Sequence, residues 1–154
     1  MSFSINIIFS AKKADYAEAV ERYRALVAPW APLNIVYCKM PSVKGDVAAV
    51  RSLEERVITG CLPLVASKVV ALSEEGRIYS SSAFALWMQR SVQSAKPIVF
   101  CIGGAYGFSA DFKKKCHESL SLSPLTLPHQ LALLVLTEQI YRAFTILKGH
   151  PYHK

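Results

Sequence analysis

The chain has 154 residues, a net charge of +7, 52% hydrophobic and 19% charged residues, and a mean hydropathy of +0.26. That length suits one domain that buries most of its apolar surface without staples. The apolar excess predicts a nearly all-buried sheet, a large oligomer interface, or both. It predicts no membrane association, because the longest uncharged run of the C-terminal helix, Gln130 to Thr137, falls far short of the roughly 20 apolar residues needed to span a bilayer. No positive segment precedes Phe3 to Phe9, so a signal peptide is not expected and the cytoplasm is the expected compartment.

The elements alternate. Ser4 to Phe9 is an Ile-rich strand. Ala14 to Ala28 carries Tyr16, Val20, Tyr23 and Val27 at helical spacing, with Asp15, Glu18 and Glu21 early, where they suit the helix dipole, and Pro29 and Pro32 behind it. Leu33 to Cys38 is a second strand and Pro41 to Asp46 a loop. Asp46 caps a helix running to about Thr59 and ended by Gly60. Lys68 to Leu72 is a third strand with no alternation, as in a strand buried on both faces. Ser80 to Ser82 opens a helix through Val92, and Pro97 to Ile102 is a fourth buried strand. Gly103 and Gly104 follow it, then Ser109 and Asp111 begin a short helix carrying Lys113, Lys114 and Lys115. Ser119 to Ser123 is a last short strand. Pro124 and Pro128 stiffen the loop after it and leave backbone N–H and C=O groups free, and the final helix starts near Pro128. The alternation predicts an α/β fold with a mainly parallel sheet flanked by helices, in one compact domain spanning 1–154.

Ligands of open α/β sheets gather beyond the carboxyl ends of the strands. Three such ends stand out, at Leu72 to Gly76, at Ile102 to Gly104 and at Ser123 to Leu125. The glycines after Ile102 serve either a close-approaching ligand or a tight turn; they match neither the dinucleotide fingerprint nor the P-loop. The four histidines have no metal-ligand spacing, so no metal is expected. Cys38, Cys61, Cys101 and Cys116 show no CxxC pattern and are expected to be free, small hydrophobes in a reducing compartment. A pI of about 9.3 and the run Lys113, Lys114, Lys115 suit a polyanionic partner, and equally a solvated face. Glu138 and Arg142 are spaced for an i,i+4 ion pair, and Tyr141 and Phe144 for core or dimer contacts. On these residues alone the reaction is not fixed.

Four motifs occur in order: FCIGGAYGFS at 100–109, LSLSPLTLPHQ at 120–130, EQIYRA at 138–143 and GHPYHK at 149–154. Together they resemble the RlmH family of SPOUT-superfamily (trefoil-knot) methyltransferases. The resemblance implies a C-terminal deep knot in about 70–154 that builds an S-adenosyl-L-methionine pocket. It implies methylation of N3 of a pseudouridine in 23S rRNA of the assembled ribosome. The cofactor-binding residues it implies are Leu72, Gly103, Gly104, Leu122, Ser123, Pro124, Leu125, Thr126 and Leu127. It further implies a homodimer in which the C-terminal tail completes the partner's site. On that basis Tyr152 and His153 are expected at the target base, with His153 as proton acceptor, and Arg142 at the base or its phosphate. Lys113, Lys114, Lys115 and Lys154 are candidate RNA contacts. The chain departs from the family pattern at Ser73 (usually Asp), Leu133 (usually Arg) and Ser10 (usually Gly). Two other readings are compatible with the motifs: a knotted methyltransferase of another RNA such as tRNA, and a catalytically inactive module that binds cofactor or RNA.

Overall fold

The computed structural model describes residues 2–154. In chain order the elements are β1 (Ile5–Phe9), α1 (Ala17–Val27), β2 (Leu33–Tyr37), α2 (Val47–Gly60), β3 (Lys68–Ile78), α3 (Ser81–Gln93), β4 (Ile98–Ile102), α4 (Ala110–Lys115), β5 (Glu118–Ser121) and α5 (His129–Leu147). The strands form one sheet in the order β2-β1-β4-β3-β5, and every pairing is parallel. Parallel neighbours cannot be joined by hairpins, and here helices carry the chain between them. The expected fold class is the one observed.

Successive strand residues point to opposite faces. Ile5, Ile7 and Phe9 of β1, with Phe100 and Ile102 of β4, pack into a core closed by α1, α3 and α5. Ile8, Val99 and Cys101 face the other way, against Ile58 of α2 and Phe112 of α4. Both faces of the central strands are therefore dry, which is why their sequences run apolar without alternation. On the larger face Trp30 stacks on Tyr141 and Phe144 of α5, with ring centroids 5.9 and 5.7 Å apart. Tyr141 and Phe144 are thus core residues of the single chain.

Three helices start at the expected caps. Asp46 accepts from the Ala49 N–H at 2.8 Å, Ser80 from Ala83 at 3.1 Å and Ser109 from Phe112 at 3.1 Å. Each such cap contributes about 1 kcal/mol. α1 begins at Ala17 rather than Ala14, because the Asp15 N–H donates to Gln130 Oε1 at 2.9 Å and the helix has no side-chain cap. Gln130 also donates to the Lys13 carbonyl, so residues 13–15 belong to the start of α5.

Two strands differ from expectation in ways that build the site. β3 does not stop at Leu72 but continues to Ile78 through a register shift: Leu72 and Arg77 both register with Leu120 of β5. The intervening residues 73–76 are a wide bulge, and Gly76 lies so close to β5 that a Cβ there would sit 2.7 Å from backbone atoms of Ser119 and Leu120. β5 is shorter than Ser119 to Ser123 at its far end: the Ser121 hydroxyl donates to the Ser123 carbonyl at 2.9 Å and turns the chain out of the sheet.

All four cysteines are free thiols. Burial first, then Cys61, pushes the Cys38 thiol up to about 12, and burial followed by Glu55 raises Cys116 to about 11. The thiolate is the reactive form, so native Cys38 and Cys116 should alkylate at least about a hundredfold more slowly than in the unfolded chain. Iodoacetamide labelling at pH 8 with and without urea, read by peptide mass spectrometry, tests this; equal rates would show that the sites are open.

Candidate functional site

The bulge after Leu72, the Gly103–Gly104 turn after β4 and the proline loop after β5 meet at the carboxyl edge of the sheet. Between them lies a cleft of about 620 Å³. Leu72, Ile102, Leu122 and Leu127 give it apolar walls, while Gly103, Gly104, Ser123 and Thr126 bring backbone and hydroxyl groups to it. Of the cofactor residues implied by the resemblance, Leu72, Gly103, Gly104, Leu122, Ser123, Leu125, Thr126 and Leu127 line this cleft, and Pro124 is not on its wall. A concave, mainly apolar slot of several hundred Å³ with a few convergent polar groups suits a nucleoside-sized ligand.

The bulge ties the cleft together. Glu74 Oε2 accepts from the Thr126 hydroxyl at 2.6 Å, joining β3 to the proline loop, and Glu75 pairs with Lys113 Nζ at 3.1 Å, joining it to α4. Ser73 accepts from the Glu75 N–H at 3.3 Å and lines the cleft. The carboxylate missing at 73 is therefore followed at once by one at Glu74, which lines the cleft as well. Leu133 is fully buried in the larger core, and Ser10 is buried with its hydroxyl unpaired.

α2 supplies residues that motif reading missed. Arg51 Nε and Nη2 donate to the Tyr106 carbonyl at 3.2 and 2.8 Å, and Arg51 lines the cleft. One turn on, Glu55 accepts from the Ser109 N–H at 2.6 Å and its hydroxyl at 3.0 Å. Burial, then Glu55, raises the pKa of Glu54, whose carboxylate lies against Gly104. The i, i+3, i+4 spacing of Arg51, Glu54 and Glu55 on one face was the available signal. His129 was also missed; it lines the cleft beside Phe9, ring centroids 5.5 Å apart.

The tail forms a second cluster. Gly149, with φ +66, ends α5: its N–H donates to Ile146 O at 3.3 Å and the His150 N–H to Thr145 O at 2.9 Å. This Schellman closure needs a residue that tolerates positive φ, and it folds the last residues back along the helix. Tyr152 then packs on Tyr141, centroids 4.7 Å apart, and donates to Glu138 Oε1 at 2.9 Å. Arg142 donates to the same oxygen through Nη2 at 2.7 Å and Nε at 3.0 Å, and its guanidinium lies 4.8 Å over the Tyr152 ring. The hydrogen bond to Glu138 is the main cause that raises the Arg142 pKa, so it stays cationic. Burial, then hydrogen bonds to Tyr23 and Glu138, raises Tyr152, which stays a neutral phenol. Arg142 Nη1 lies 3.1 Å from His153 Nδ1. Since Arg can only donate, Nδ1 accepts and a neutral ring carries its hydrogen on Nε2.

Arg142, Tyr152 and His153 are thus brought together, but none of them lines the cleft of its own chain. Ala132 does, ten residues before Arg142 on α5, and the helical rise separates the two by about 15 Å. Lys114, Lys115 and Lys154 are exposed, whereas Lys113 is half-buried and paired with Glu75. Among the described residues no helix is long and apolar enough to cross a membrane.

A family model described as "Predicted SPOUT methyltransferase" matches residues 1–153, and the chain belongs to this family. Membership implies a methyl-donor cofactor. The relatives carry a more particular name, "Ribosomal RNA large subunit methyltransferase H". One from Gemmatimonas aurantiaca is 36% identical over 155 residues, covering 100% of both chains. One from Syntrophotalea carbinolica is 39% identical over 142 residues, 91% of this chain and 86% of its own, and one from Xanthomonas campestris pv. campestris is 38% identical over 141 residues, 90% and 89%.

Proposed function

We propose that this protein methylates N3 of a pseudouridine in large-subunit ribosomal RNA, with S-adenosyl-L-methionine as donor and the cytoplasmic, assembled ribosome as substrate. The observation that carries the reading is the cleft at the ends of β3, β4 and β5, in a member of a methyltransferase family whose relatives are named for ribosomal RNA. When bound, the donor supplies a methyl group already activated by its sulfonium. Leu72, Leu122 and Leu127 hold the apolar part of the ligand and keep water from it. Backbone groups at Gly103 and in the proline loop satisfy the adenine edge, and Glu74 offers a carboxylate to the ligand's cationic end. Membership of the family supports a knot in about 70–154 of this chain.

The tail reaches a cleft through a homodimer, each cleft taking Arg142, Tyr152 and His153 from the partner. Tyr152, held neutral, packs on and hydrogen-bonds to the target base. Arg142 orients the base or its phosphate. His153 takes the N3 proton at Nδ1, which requires Arg142 to turn from the imidazole to the RNA. An imidazole is the commonest side chain for such general-base transfer. Lys114, Lys115 and Lys154 add phosphate contacts.

The experiment is methyl transfer to ribosomes from a strain lacking this family's enzyme, read by nucleoside mass spectrometry. A new methylpseudouridine that needs both the assembled particle and prior isomerisation is expected; transfer to tRNA alone would overturn the substrate. His153→Ala should lower kcat by about 100-fold with donor binding unchanged, and an unimpaired turnover would remove His153 from the mechanism.

A further inference from the structure

A second groove, of about 320 Å³, lies between α3 and the β3–β5 side of the sheet, outside the cofactor cleft. Lys68 and Arg77 of β3, Tyr79 just beyond it, Trp87 and Arg90 of α3, and Glu118 of β5 form its walls. Its one carboxylate is already answered: Glu118 Oε1 pairs with Lys68 Nζ at 2.6 Å, and Oε2 accepts from Trp87 Nε1 at 2.9 Å. Lys68 is also committed, lying 4.6 Å over the Trp87 ring. Arg77 and Arg90 have no carboxylate within ion-pair distance among the described residues. Two guanidinium charges therefore stand uncompensated beside this groove.

The aromatic groups narrow the ligand class. Trp87 is buried and Arg77 lies 4.9 Å over the Tyr79 ring, so each ring already has a cation on it, which leaves little room for base stacking. A guanidinium held over a ring through its Cζ still has N–H groups to offer, in the fork that matches two phosphate oxygens. The Tyr79 hydroxyl is buried and has no hydrogen-bond partner. Burial first, then Glu118, raises the Tyr79 pKa, with Arg77 and Arg90 opposing, so the phenol is a neutral donor. A buried O–H without an acceptor is costly unless a ligand supplies one.

We propose that this groove is a phosphate-binding site for the backbone of the RNA substrate, with Arg77 and Arg90 as its anion contacts and the Tyr79 hydroxyl as a third donor. The assignment to RNA rests on the ribosomal reading above; a phosphate on another macromolecule would meet the same donors. Because the groove is separate from the cleft, its loss weakens substrate binding without touching donor binding or the chemical step.

The test is the doubly substituted protein R77Q/R90Q, both changes being on the protein surface. With ribosomes, KM is expected to rise at least about tenfold while kcat at saturation and donor affinity by calorimetry stay within about twofold, because the lost contacts are phosphate contacts. In fluorescence anisotropy with a labelled RNA decamer, the slope of log affinity against log salt should fall by about two, one for each lost contact. Wild-type protein should bind the same decamer with methylphosphonate linkages no better than the variant binds RNA. Unchanged RNA affinity and salt slope in the variant would overturn the groove. Tighter, Arg77- and Arg90-dependent binding of a phosphoserine peptide than of RNA would overturn RNA as its occupant. If wild-type protein methylates no ribosome, the function fails, but Arg77- and Arg90-dependent decamer binding still upholds the groove.

Discussion

Replacing Gly76 with alanine is expected to lower stability by about 3 kcal/mol or more, the upper range for overpacking, because the added methyl group would meet backbone rather than a movable side chain. The Cβ would lie 2.7 Å from the backbone N and C of Leu120 and the C of Ser119. Relief requires moving β5 away from the bulge, which breaks the register that places Leu120 against both Leu72 and Arg77. Glu74 and Glu75 move with the bulge, and with them the ties to Thr126 and Lys113 that close the cleft. For a chain of this length the melting temperature should fall by about 6–12 °C, with donor binding lost before global unfolding. Gly60→Ala is the control: nothing lies within 4 Å of its Cβ, and it should stabilise by about 0.4–1 kcal/mol. Urea denaturation of both variants checks the pair. A melting point for Gly76→Ala within about 2 °C of wild type would mean that the bulge packs on β5 more loosely than the backbone contact implies.

The alternation of elements, the three side-chain helix caps and the apolar strands were legible because they depend on local rules: period, capping side chains and breakers. The loop after β5 that lines the cleft was legible for another reason, since its motif is local and the resemblance carried it. The extension of β3 to Ile78 was not. Ser73, Glu74 and Glu75 are polar and Gly76 has no side chain, so no apolar pattern marks them as strand; pairing across the bulge with β5, more than forty residues later, holds them there. The α2 clamp was missed for the same reason: Arg51 and Glu55 read as surface charges until β4 and α4 bring Tyr106 and Ser109 against them. The Glu138–Arg142 pair was expected as an ordinary ion pair. In the structure it also takes the Tyr152 hydroxyl and holds the tail, because Gly149 reverses the chain. Spacing gave the pair; only the tertiary turn gave its third partner.

The proposed sharing of the site between two protomers is decided by a mixing experiment. Leu127→Arg places a cation on the cleft wall, against the sulfonium of the proposed donor, and leaves the tail intact. Tyr152→Ala/His153→Ala removes the tail groups and leaves the cleft intact. Each protein alone should lose at least about 100-fold in transfer, as expected when donor binding or a general base is removed. In dimers formed by mixing the two in equal amounts, half are mixed, and each mixed dimer has one cleft and one tail still whole. If the tail serves the partner's cleft, those two meet in one of its two sites, and activity recovers to about a quarter of wild type, since one site in two works in half of the dimers. If each tail serves its own cleft, every site carries a defect and no activity returns. The geometry favours recovery: within one chain the tail cluster folds onto α5, about 15 Å along the helix from the residue that reaches the cleft. Activity in the mixture no higher than the two variants alone, with mixed dimers verified by differential tags, would place the proton acceptor within the chain that binds the donor. It would then require Arg142 and Tyr152 to leave Glu138, and His153 to leave Arg142, and all three to cross that distance during turnover.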